Sequence, residues 1–425
     1  MRTDFSLGVL SLSFFVAACG GANSANSGGT SAPVAAKPAA SAPAAAANSS
    51  GEVSLESLLA RESTGLKAVS AKSGDGSLVL AAESSAQPTF EAKNNVPQVM
   101  IPIGTEQPVI CLLRGDSPST GSLLRSVVSD VQKDEPKNQI TMLEAAMLGN
   151  VPYYLAELQY LDEKTGKPLL GALKIAVFDR AGDTLLCMHD ELGYRATFKR
   201  VVESVAKSFQ KKDAEEPKAP NELEIALAKV QKQPIGYTTE RHFITPEGTH
   251  VELESSTLLL RRSPTELMSV ESVRVTESSK DGIATKIRTI SEEGGEQAES
   301  ITVERKAGGK YHVEGTKSGK AVKGDFTSKT PIWASWRQRA EVRDKMLRGR
   351  KVRELSMSGY SSSSNPIGMT PTTYKATSDA NAFEITNGGV QVRATLDADA
   401  RTTQVGLKMG AIELSFERAI FESHK

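Results

Sequence analysis

What the 425-residue chain lacks narrows its reading first. It has three cysteines, two tryptophans and five histidines, and aromatic residues make up only 5 percent. No Cys-x-x-Cys, His-x-x-x-His or carboxylate cluster supplies the three or four converging ligands of a metal site. A G-x-S-x-G turn, a phosphate-cradling P-loop and a dinucleotide fingerprint are also missing, which argues against the commonest catalytic families. An excess of one charge is missing too. The 51 basic residues balance 51 acidic ones, so no global field recruits nucleic acid or an anionic surface. No apolar run reaches the about 20 residues a membrane-spanning helix takes.

One shorter apolar run is present at the start, from Leu7 to Ala18, after a weakly positive beginning at Arg2. A short charged start, an apolar middle and a small-residue end make a secretory signal over residues 1–18. Its end, Val16-Ala17-Ala18-Cys19, resembles the bacterial lipobox. That resemblance implies cleavage before Cys19, which then carries acyl chains such as palmitate. An ordinary signal peptide with an incidental cysteine is the alternative. Several chains at about 0.8 kcal/mol per buried methylene make an effectively permanent anchor. Gly20, in place of the aspartate that retains enteric lipoproteins at the inner membrane, implies an outer-membrane destination in the bacterial cell envelope. Residues 20–51 are almost wholly Gly, Ala, Asn, Ser, Thr and Pro, with Lys37 the only charge. Such a segment cannot bury enough apolar surface to offset its ordering entropy. Residues 19–51 therefore read as a lipidated cysteine and a disordered tether.

Roughly 375 residues remain, which suggests two domains. The segment 52–86 reads as a short amphipathic helix followed by a loose Gly/Ser-rich stretch. Residues 87–209 hold strand patterns at PTFEA, VPQVMIPI, QPVICLLR, QITMLEAAML, YYLAELQYLD, ALKIAVFD and TLLCMHD. Leu123, Leu124, Val127, Val128 and Val131 recur at helical spacing over 121–131. Phe198, Val201, Val202, Val205 and Phe209 do the same in YRATFKRVVESVAKSF. Strands, helix, antiparallel meander and closing helix form an order that resembles the PsbP/Mog1-like family of small α/β sandwiches. The resemblance implies a binding or assembly factor and carries over no catalytic residue.

Residues 210–221, charged and broken by proline, read as a linker. Asn221 is a candidate N-cap for a short helix through Val230. From there to residue 425 the pattern has period two. Val390, Val392, Ala394 and Leu396 alternate with Gln391, Arg393 and Thr395, and Ile412, Leu414 and Phe416 with Glu413, Ser415 and Glu417. One buried and one wet face mark an antiparallel sheet curled on itself. The expected class is α+β: a small antiparallel α/β sandwich, then an antiparallel β-barrel or half-barrel with one inserted helix near 331–347. It looks like the open barrels of envelope lipoproteins and lipid carriers, an analogy of fold alone.

Chemistry-bearing residues are few. With Cys19 assigned to the anchor, Cys111 and Cys187 form an even pair, either a disulfide of an oxidising compartment or two buried thiols. Cys187-Met188-His189-Asp190 holds a thiol and an imidazole on one strand face, about 7 Å apart and too far for nucleophile and base, so a buried cysteine and a rim histidine are expected. Arg114-Gly115-Asp116 reads as a turn after a strand. His242 and His250 flank a hairpin without completing a metal site. The stretch 336–354 is locally basic beside Trp333 and Trp336. It is either a solvated helix whose tryptophans plug the barrel end or a site for anionic headgroups. The ligand-binding expectation is an apolar pocket bordered by Trp333, Trp336 and the segment with Arg348, Arg350 and Lys351. The function expected is non-enzymatic: a membrane-anchored envelope lipoprotein binding a lipid or an envelope protein, with no metal, no cofactor and no nucleic acid. An envelope hydrolase with a cleft in the β domain is the alternative.

Overall fold

The computed structural model describes residues 54–424, apart from positions 94, 116–118, 136, 163–168, 181–182, 213–218, 349–351, 363, 380 and 410–411. Cys19, Arg350, Lys351, the lipobox and the tether lie outside the described residues. The described chain opens on a clip. A one-turn helix, Leu55–Leu59, is capped by Ser54 and is followed by Glu62. That carboxylate accepts hydrogen bonds from the backbone N–H groups of Ala196 (2.9 Å) and Thr197 (2.6 Å) and from the Thr197 hydroxyl (2.5 Å). These N–H groups open the helix Arg195–Ser208, where the first donors have no intrahelical partner. A carboxylate is also favoured there by the helix dipole.

The stretch expected to be loose is instead a hairpin. Strands β1 (Lys67–Lys72) and β2 (Leu78–Ser84) pair antiparallel, and β2 also pairs β10 (Gln210–Lys211). Small residues hid it. Leu78, Leu80 and Ala82 alternate onto one face and join the core around the Arg195 helix.

Seven strands form the next sheet: β3 (Thr89–Lys93), β4 (Val96–Ile101), β5 (Val109–Arg114), β6 (Asn138–Leu148), β7 (Val151–Asp162), β8 (Leu169–Arg180) and β9 (Asp183–Asp190). Their order is β3-β4-β5-β9-β8-β7-β6, with every pair antiparallel. Period-two alternation sends Tyr153, Leu155, Ala176 and Phe178 to one face against Phe198, Val201, Val202 and Val205 of the Arg195 helix. Tyr154, Ala156, Ile175 and Val177 go to the other, against Leu124 and Val128 of a second helix, Thr120–Asp134. Burial on both faces is why β8 reads as a near-continuous apolar run. Cys111 and Cys187 sit opposite each other on β5 and β9 and are joined by a disulfide.

Fourteen strands make the third sheet. They are β11 (Glu222–Val230), β12 (Gln233–Ile244), β13 (His250–Arg261), β14 (Leu267–Ser278), β15 (Ala284–Glu293), β16 (Glu296–Arg305), β17 (Lys310–Lys317) and β18 (Lys320–Thr327), followed by β19 (Glu354–Gly359), β20 (Thr370–Ala376), β21 (Ala382–Asn387), β22 (Val390–Leu396), β23 (Thr402–Met409) and β24 (Ile412–Ser423). The first and last strands, β11 and β24, pair at the centre. Two antiparallel meanders run outward from them, to β18 on one side and β19 on the other. The sheet curls so that Leu258, Met268 and Val270 meet Tyr374, Phe383, Ile385, Val392 and Phe416. It stays open, because β18 and β19 remain its two edges. The predominance of antiparallel sheet is as read from the sequence. Three details differ. Residues 222–230 form β11 rather than a helix, because both flanks pair, with β12 and β24, and Asn221 Oδ1 accepts the Ile244 N–H instead of capping (2.8 Å). The polar strand β18 and the strand β21 carried no clear signal. The inserted helix is Ser335–Val342, continued by a wider turn over Arg343–Arg348.

The α/β unit and the large sheet share a core. Tyr237, Leu259 and Leu267 of the sheet pack with Leu124, Val128, Tyr154 and Ile175, and Tyr154 donates its hydroxyl hydrogen to the Thr257 carbonyl (2.6 Å). Burying those three sheet side chains contributes roughly 5–9 kcal/mol of transfer free energy, enough to fix the docking. Gly121 permits the approach, since a Cβ there would stand 2.4 Å from Thr257 Cγ2.

Candidate functional site

Two constellations lie on opposite faces of the large sheet. The first fills the concave side. Strand register sets Glu224, Glu240 and Glu254 abreast on β11, β12 and β13, with Glu222, His242 and Glu252 abreast one step along the same face. Neighbouring carboxylates on adjacent strands repel. Arg339, 6 percent exposed, enters this ring from the inserted helix. It bonds Glu240 and lies 3.7 Å from Glu252 and 4.0 Å from Glu222. Burial pushes Glu224, Glu252 and Glu254 above the ordinary carboxylate range, whereas the hydrogen bond from His242, with Arg401 beside it, holds Glu222 down near 2. Glu252 also accepts the N–H groups of Ser335 (2.9 Å) and Trp336 (2.7 Å), so it caps the helix from across the sheet.

Trp336 stacks on His250, with ring centroids 4.4 Å apart, and donates its indole N–H to Ser278 Oγ (3.2 Å). His250 Nδ1 in turn lies 2.9 Å from His242 Nε2. Trp333 lies under the Arg337 guanidinium (5.6 Å). The local basic run is largely answered by acids: Arg337 and Lys345 bond Glu341, Arg343 bonds Asp344, and Arg348 bonds Asp399. The expected apolar pocket is therefore replaced at this place by a charged clamp. Trp333 and Trp336 line none of the four cavities described among the described residues. Arg348 borders one of them, with Met346, Asp379 and Phe383, away from the tryptophans. The physical reason lies in the alternating acids of ELEIALAKV, TTERHF and HVELESS, which need a buried cation. The Glu-x-Glu spacing within candidate strands was the signal available for it.

The thiol and imidazole of Cys187 and His189 do not act together. Cys187 is in the disulfide. His189 is buried between Tyr194 and Phe198, where desolvation and then the Lys174 charge lower its pKa to about 4. The Arg114-Gly115-Asp116 tripeptide begins at the end of β5, and its aspartate lies outside the described residues.

The second constellation is a cleft of about 320 Å3 between the α/β unit and the convex face of the sheet. Ser119, Thr120, Asn150 and Asp179 form one wall, and Tyr237, Thr239, Arg241, Ser255, Glu271 and Glu292 stand on the other. Thr120 Oγ1 and the Tyr237 hydroxyl are 2.5 Å apart, as are the hydroxyls of Thr239 and Ser255. Asp179 accepts from Thr184 (2.6 Å) while burial raises its proton affinity. Val273, 42 percent exposed, forms apolar floor with Ile225 and Ile290. An apolar floor with a few convergent polar groups at a domain junction is the usual build of a ligand site. Sequence reading missed it, because its residues come from seven strands and a helix start that only the fold brings together.

No protein-family model and no curated protein matches the chain. Among solved structures, the chain is similar to a beta-barrel-like protein of domain of unknown function DUF1849 from Brucella abortus, at 12% identity and a TM-score of 0.36, over 48% of this chain and 98% of that one.

Proposed function

We propose that the protein is a lipid-anchored envelope protein that works by binding, with the cleft between the α/β unit and the large sheet as its ligand site. The cleft is the observation that carries this reading: it joins charged groups, paired hydroxyls and an exposed apolar floor at a packed junction. The buried Cys111–Cys187 disulfide supports an oxidising compartment, and the Val16-Ala17-Ala18-Cys19 run supports acylation at Cys19 and an outer-membrane address. The seven-stranded antiparallel sheet with a helix on each face supports a PsbP/Mog1-like plan for the first domain. The curled second sheet supports a half-barrel and hence the α+β class. The ligand is held in the cleft rather than as a lipid in the barrel interior, because Arg339 and its carboxylates occupy the middle of that interior.

The test uses a photo-cross-linking residue at Val273, with one at the exposed Lys320 of β18 as control. In the native envelope, Val273 should capture a defined adduct that Lys320 does not. Identical patterns at both positions would refute the cleft reading. Separately, Cys19→Ser should move the protein from the membrane to the soluble fraction or leave an uncleaved precursor, and unchanged fractionation would refute the anchor.

A further inference from the structure

The cleft holds a charge imbalance that its one lining arginine, Arg241, answers only in part. β14 and β15 set Glu271 directly opposite Glu292, and both line the cavity. Facing carboxylates across a strand pair repel. Among the described lining residues, three acids, Asp179, Glu271 and Glu292, meet one base, Arg241, and Arg241 acts on Asp179. Glu271 is 8 percent exposed, and its Oε1 has no hydrogen-bond partner. Burial raises its proton affinity, although hydrogen bonds from Ser119 and Ser122 at the start of the Thr120 helix reach its carboxylate and pull the other way. Two residues along the same strands and on the same face, Val273 stands opposite Ile290. An acid pair is thus followed by an apolar pair at a spacing of roughly 7 Å.

Resting on the binding reading above, we propose that the cleft takes a ligand bearing a protonated primary amine, seated between Glu271 and Glu292 with its aliphatic part on Val273 and Ile290. The spacing suits a charged head on a short methylene chain, as in a polyamine or a lysine side chain. A calcium ion fits less well, because it takes 6–8 oxygen ligands and has no use for the apolar pair.

The test is titration calorimetry of the mature protein in detergent. Spermidine and a tri-lysine peptide are compared with their fully acetylated forms and with calcium. The free amines should bind, and acetylation should weaken binding by roughly tenfold or more. Preference between the two amines tells a free polyamine from a basic peptide as the source. The double variant Glu271→Gln, Glu292→Gln should lose the amine response while its Tm stays level or rises, because the repulsion is gone. A fall in Tm would be read through Glu292→Gln alone, at the more exposed position. Equal binding of acetylated ligands, tighter binding of calcium, undiminished binding by the variants, or no heat with either amine would each overturn the amine assignment. An adduct at Val273 alongside any of these would leave the cleft as a binding site for other chemistry. Loss of both would end the two readings together.

Discussion

Arg339→Met removes the central counter-charge of the concave face while keeping most of the side-chain volume. Glu240 and Glu252 then both lose their guanidinium partner, with Glu224 and Glu254 directly opposite Glu240 and Glu222 one step along the same face. Breaking a buried ion pair by taking one partner away costs about 3–5 kcal/mol, equivalent to a Tm drop of roughly 5–15 °C in a body of this size. The loss should depend on pH, with a definite sign. Glu224, Glu252 and Glu254 already have folded pKa values raised above their unfolded ones, and losing Arg339 raises them further. Groups of that kind contribute stability that is present below the unfolded pKa and is lost as pH rises through the folded one. The deficit of the variant should therefore be smallest around pH 5 and largest around pH 8. Urea unfolding followed by tryptophan fluorescence reads it directly, since Trp336 lies on the helix that carries Arg339 and Trp333 just before it. A deficit that is flat with pH, or below about 1 kcal/mol, would refute the clamp.

Two further outcomes follow from the α/β unit. Non-reducing peptide mapping of the native protein should show Cys111 linked to Cys187, and replacing both with serine should cost up to about 4 kcal/mol for a closed loop of this length; free alkylation of both thiols would contradict it. His189 is held near pKa 4 against an ordinary 6.5, so its contribution is intact above the ordinary value and is lost as pH falls from 6.5 toward 4. Wild type should lose about 3 kcal/mol more than His189→Phe over that acid range, and parallel acid unfolding curves would contradict it.

Much of the scaffold could be read from residue pattern, and the failures share a cause. β7, β8 and β9 announced themselves because burial on both faces leaves few polar residues to interrupt them. The Thr120 and Arg195 helices showed because Leu124, Val128, Val201 and Val205 keep a period of 3.6. Residues 222–230 misled because ELEIALAKV suits a helix locally, and only its two strand neighbours decide otherwise. The β1–β2 hairpin was obscured by serine, glycine and alanine, whose small side chains leave the alternation faint. At the basic segment, composition counted charges but not their partners. Arg339 looks like its neighbours until the register of three distant strands surrounds it with glutamates. The cleft is harder still, because its wall from residues 119–179 and its wall from residues 223–292 belong to separate units that only the fold docks together.

The Glu62 clip bears on how the body carries load. Any pull arriving from the amino-terminal side enters the fold where Ser54–Ser63 meets the start of the Arg195 helix. Three bonds to one carboxylate, with the Ser63 N–H on Thr197 Oγ1 (2.9 Å) as a fourth contact, resist it there. Hydrogen bonds to a charged group are worth about 1.5–3 kcal/mol each, and these converge on two consecutive residues, so they share tension rather than unzip in turn. The helix behind them is packed against the disulfide-braced sheet. Tension applied at Ser54 would thus pass into that helix and the disulfide-braced sheet beneath it, and the cleft lies on the far face of the same sheet.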